Sequence, residues 1–71
     1  MITDDQLTNW FTYHPPLFDD QKIYTAIREA GLTFAKVVRD YTPPSADQTA
    51  AIRHIREAVM TANAAVACGG K

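Results

Sequence analysis

Four side chains in this sequence could meet a small anionic or aromatic ligand: Tyr13, Arg28, Arg53 and Arg56. Tyr13 lies in WFTYHPPLF, residues 10–18, where four aromatic rings, a histidine and two adjacent prolines crowd into nine positions. A tyrosine on such a turn offers a flat face on which a nucleobase can stack, worth about 1–3 kcal/mol. Its alternative use is to pack on the stem of the following helix. Arg28 can grip a phosphate through two parallel hydrogen bonds, or it is simply a solvated arginine. Arg53 and Arg56 are one helical turn apart and can form a second anion pocket. Arg53 can equally pair with Glu57 along its helix, for a few tenths of a kcal/mol, about 0.2–0.5. Asn63, set in an apolar run, suits either a register-fixing group at an interface or a ligand contact.

Catalysis is poorly provided for. A metal site wants His, Cys, Asp or Glu clustered at ligand spacing, and His14 and His54 are forty residues apart. The positions two after each histidine are Pro16 and Arg56, so the hydroxyl residues of a two-histidine phosphoesterase are missing. The glycines, Gly31, Gly69 and Gly70, make no phosphate loop. Cys68 has no evident histidine partner to activate it and reads as a small buried apolar residue. His14, before two prolines, suits packing at a turn. The expectation is a non-enzyme with no cofactor and no metal.

Three helices must position these residues. Thr3 followed by Gln6 is a capping-box pattern, with Asp4 and Asp5 in the first turn where the helix dipole favours negative charge. That first helix is expected over about 4–13, ended by Pro15-Pro16. A second helix is expected over about 20–41, opened by Asp19 or Asp20 as N-cap with Phe18 as a hydrophobic staple. In it Ile23, Ile27, Ala30, Phe34, Val37 and Tyr41 recur at heptad-like spacing. Gly31 interrupts the pattern and reads as a close-packing position. Pro43-Pro44 makes the connection, Ser45 and Gln48 form a second capping box, and a third helix is expected over about 46–68. It carries Ile52, Ile55, Val59, Ala62 and Val66 as a matching stripe and is stopped by Gly69-Gly70. The fold class is all-α: one domain, 1–71, of a short N-terminal helix and an antiparallel two-helix hairpin.

The hairpin leaves an apolar surplus. VMTANAAVAC, residues 59–68, has Thr61 and Asn63 as its only polar side chains, and a helix apolar all round wants burial all round. A 71-residue chain with one cysteine has no internal disulfide to reinforce it, so self-association is the expected remedy. Net charge is −1, although from Lys22 onward seven bases stand against four acids. That balance disfavours duplex DNA and leaves room for a small anion. No apolar run approaches a membrane span, and the N-terminus lacks a signal-peptide pattern.

WFTYHPP, IYTAIREAG and PPSADQTAAIRHIREAVMTANAAVA together resemble the phage anti-CBASS cyclic-nucleotide sponge family, that of anti-CBASS protein two. They also resemble the hairpin domain which that family shares with the Thoeris anti-defence sponge. The likeness spans nearly the whole chain, and the proline-initiated helix through REAVMTANAA is its most specific part. It implies a homo-oligomer, a hexamer, that binds bacterial immune second messengers without cleaving them, in the cytoplasm of the infected host. It further implies that cyclic dinucleotides sit between protomers, with Tyr13 stacking on a base and Arg28 near phosphate. Cyclic trinucleotides would take separate pockets at three-protomer junctions, for which Arg53 and Arg56 are the available candidates. The competing reading is a helical-hairpin inhibitor, or an oligomerisation module, that caps a host protein through an exposed apolar stripe.

Overall fold

The computed structural model describes residues 1–17 and 19–71. Phe18, the proposed staple, lies outside the described residues. Those residues form three helices, α1 (Asp4–Trp10), α2 (Asp20–Tyr41) and α3 (Ala46–Ala67), with no strand among them.

α1 opens with the full capping box: the Gln6 N–H donates to Thr3 Oγ1 at 3.2 Å, and the Thr3 N–H donates to Gln6 Oε1 at 2.9 Å. It ends at Trp10, three residues before the expected stop at 13. Ahead of the prolines, local hydrogen bonds compete with a further turn. The Thr12 hydroxyl donates back to the Thr8 carbonyl, and His14 Nε2 lies 2.7 Å from the Asn9 carbonyl. Side chains thus take carbonyls that a further helical turn would need.

α2 begins differently from expectation. Asp19 makes no side-chain cap. Instead the Asp20 carboxylate accepts from the Leu17 N–H at 3.2 Å, bracing the turn before the helix. At the other end, Ser45 caps α3 through the Gln48 N–H at 3.1 Å, but the capping box is only half made. The Gln48 amide donates across the connection to the Arg39 and Thr42 carbonyls, at 3.0 and 3.1 Å. One glutamine therefore closes the last turn of α2 and locks the hairpin.

The two long helices pack side by side through Gly31. A Cβ there would overlap Val59 Cγ2 and meet Ile55 Cγ2 at 4.0 Å, so the missing side chain is what allows the helices to touch. This close approach sets the rotation of α2. Tyr24, Ile27, Gly31, Ala35 and Val38 turn inward, while Ile23, Ala30, Phe34, Val37 and Tyr41 remain exposed. The expected heptad stripe, apart from Ile27, is therefore not the intramolecular seam. On α3 the expected stripe does face α2: Ile52, Ile55, Val59, Ala62 and Val66 are all at least half-buried.

The result is a slab of 44 × 31 × 14 Å with a radius of gyration of 15.1 Å. A compact chain of this length would have about 11 Å. Accessible surface is 5889 Å², some 1,500 Å² above the roughly 4,400 Å² expected of a compact monomer of this mass. Among the described residues Ile55 alone is buried, at 9% exposure.

Candidate functional site

The slab has two open apolar faces, one on each side of the α2–α3 seam. The broader is a cleft of about 550 Å³ floored by Ile27, Ala30, Gly31 and Phe34 of α2 and by Ala51, Ile55, Ala58 and Ala62 of α3, with His54 at its edge. The narrower, about 260 Å³, lies between Leu32 and Ala35 on one helix and Ile52, Arg56 and Met60 on the other. Small residues keep the α3 side of the broader face low, so that a further helix could settle close to its backbone.

Tyr13 is 80% exposed and does not pack on the stem of α2. It stands on a turn pinned at both ends. On one side the Thr12 N–H donates to the Asn9 carbonyl at 3.4 Å; on the other His14 bonds to the same carbonyl. His14 is half-buried there, in the turn-packing role its place before Pro15-Pro16 suggests.

Arg28 is exposed, on the flank of α2 that also carries Leu32 at i+4. Because Gly31 faces Val59, the antiparallel register sets Arg28, one turn earlier, level with Ala62 and Asn63. Asn63 Oδ1 is buried with no hydrogen-bond partner among the described residues. A carbonyl left unpaired costs about 1–3 kcal/mol, and an ordered water satisfies it as a protein donor would.

Arg53 and Arg56 are both exposed on α3. Arg56 lines the narrower cleft, whereas Arg53 does not. Glu57 lies 3.6 Å from His54 Nδ1, in place of the Arg53 pairing that the spacing allowed. Among the described residues Arg28, Arg53 and Arg56 make no ion pair. Arg39 differs: its Nε donates to Asp40 Oδ1 at 2.8 Å, and that hydrogen bond holds the Asp40 carboxyl below its ordinary range. Tyr13 and the three arginines are thus presented at the surface, and the single chain does not gather them.

Sequence reasoning missed a third feature, a polar clasp between α1 and the end of α3. Asn9 Nδ2 donates to the Cys68 carbonyl at 3.2 Å, and Trp10 Nε1 donates to the Lys71 carbonyl at 3.0 Å. Those carbonyls are aimed by a two-glycine turn. Gly69 and Gly70 have φ of 65° and 77°, and their N–H groups close on the Val66 and Ala65 carbonyls at 3.2 and 2.9 Å, a Schellman termination. The glycine pair was readable as a helix stop; its partners, some sixty residues earlier, were not.

Among the described residues no three His, Cys, Asp or Glu side chains come together as a metal site, and no helix is long and apolar enough to cross a membrane. Residues 3–67 match the family described as the Acb2/Tad1 hairpin domain. The chain belongs to that family. It is a family of phage anti-defence sponge domains, not known as enzymes. No curated protein and no solved structure matches the chain.

Proposed function

We propose that this chain binds cyclic oligonucleotide immune second messengers and holds them intact, lowering the free signal that would activate a host effector. Cyclic dinucleotides are the primary ligands, with Tyr13 stacking on a base and Arg28 reaching phosphate; cyclic trinucleotides are taken at a second site by Arg53 and Arg56. The working form is a homo-oligomer, a hexamer, in the cytoplasm of the infected cell. The observation that carries this reading is an aromatic ring held out in solvent on a pinned turn, in a chain of the Acb2/Tad1 hairpin family. Three unpaired arginines supply the charge for a small anion, and the two apolar faces supply the surface for further copies.

A second reading, that the hairpin caps a host protein, draws on the same exposed apolar residues, Phe34 and Val37 above all. One experiment separates the two. The protein is incubated with a panel of cyclic di- and trinucleotides, washed, heat-denatured, and the released nucleotide is analysed by chromatography. Intact nucleotide recovered in proportion to protein supports sequestration. Linear product means that the chain is an enzyme, and no retained nucleotide leaves the protein-capping reading.

A further inference from the structure

We infer that Asn9, Trp10 and His14 are positioning residues, forming a clasp that sets Tyr13 in place for stacking; this rests on the reading of Tyr13 as the ring that meets the ligand. α1 has only seven residues and buries none of them. A helix so short has no independent stability in water, and its packing on the hairpin is slight beside that of α2 on α3. Polar bonds hold it instead. Asn9 is the hub: its side chain donates to the Cys68 carbonyl, while its own carbonyl accepts from the Thr12 N–H and from His14 Nε2. Trp10 adds the second tie, to the Lys71 carbonyl.

Tyr13 lies between the hub and the rigid Pro15-Pro16 pair, so its backbone is bracketed on both sides. The carbonyls at the far end of the clasp exist in that orientation because Gly69 and Gly70 take positive φ. The end of α3 thereby fixes the backbone that carries an aromatic ring near the start of the chain. A backbone ordered before the ligand arrives loses less conformational freedom on binding.

The test is a double-mutant cycle on the full chain. Asn9→Ala removes the hub donor; Trp10→Phe removes the indole N–H with its five-membered ring and keeps a phenyl ring, so it serves where Asn9→Ala fails to fold. Each is combined with Tyr13→Leu, and affinity for 3′,3′-cyclic dinucleotides of adenine and guanine is measured by calorimetry. Oligomeric mass and helicity are checked in parallel. If the clasp acts through Tyr13, each clasp variant weakens binding about two- to tenfold when Tyr13 is present and changes nothing further in Tyr13→Leu. Equal losses in both backgrounds would make the clasp merely structural and overturn the inference, as would no loss at all. Tyr13→Leu binding as tightly as the parent would overturn the stacking role itself, and the clasp inference with it. In the other failures Tyr13→Leu is weak, so the two ideas fall separately.

Discussion

Tyr13 and Arg28 differ in what each would contribute to holding a cyclic dinucleotide, and single substitutions separate the contributions. Stacking needs the ring and not the hydroxyl. Tyr13→Ala is therefore expected to cost about 1–3 kcal/mol of binding energy, while Tyr13→Phe stays close to the parent; calorimetry that finds both variants unchanged would make Tyr13 a bystander. Arg28→Ala removes a charge-assisted contact and is expected to cost about 1.5–3 kcal/mol. Its exposure off the seam means that the hairpin should survive the change, and helicity lost instead would make Arg28 structural. Affinity should fall with salt far less steeply than for a DNA-binding protein, because a cyclic dinucleotide has two phosphates and no condensed counterion atmosphere. Both residues were legible in the sequence as types: an aromatic before a proline pair, and a cation one position off an apolar stripe. The meeting that the proposed function requires of them was not legible, and the single chain does not bring it about. If copies make the pocket, as proposed, it leaves no spacing rule within one copy.

The hairpin itself turns on one position, Gly31. Ala would gain about 1 kcal/mol of helix propensity there, yet its Cβ would overlap the β-branched Val59, whose side chain is confined to one main rotamer in a helix. Overpacking of this kind costs about 1–3 kcal/mol, so Gly31→Ala should lower thermal stability on balance. Combining it with Val59→Ala opens the space, and the double variant should be more stable than the sum of the single effects predicts. Additive melting temperatures would mean that the two residues do not press on each other. Gln48→Ala is a second expectation at this scale: it frees the Arg39 and Thr42 carbonyls and should cost about 1 kcal/mol, read as a lower denaturation midpoint. The elements show what local pattern can and cannot specify. Thr3–Gln6 makes the full capping box. Ser45–Gln48 has the same spacing and the same kinds of side chain, but the Gln48 amide donates across the turn instead, to acceptors that no local pattern reveals. The α2 stripe was similarly ambiguous, since two apolar ridges about one residue apart run along that helix. Only the contact at Gly31 decides which ridge faces α3.

A slab one helix thick cannot shield its own apolar residues, and this governs the behaviour of the whole molecule. Ile55 is the one buried side chain among the described residues, whereas Phe34 at 58% and Tyr41 at 84% stand exposed along a single ridge of α2. Burying part of the excess of some 1,500 Å² between copies would contribute about 25 cal/mol for each Å² that is apolar. Much of that is offset by the entropy of association and of ordering side chains, but a domain normally stable by about 5–15 kcal/mol has no comparable source within itself. Assembly and folding should therefore be coupled. We expect light scattering at micromolar concentration to give a mass several times 7.9 kDa, and thermal midpoints to rise with protein concentration, as mass action requires of a coupled oligomer. Phe34→Asp places a charge in the broader cleft, on a ridge that the single chain leaves exposed. It makes no intrachain clash, so its damage should appear only through assembly: smaller particles, with helicity lost on dilution. If Phe34→Asp remains folded at the parent's mass, the broader face is not where copies meet. If the parent itself is a stable 7.9 kDa monomer, the exposed ridge must be explained by a different partner.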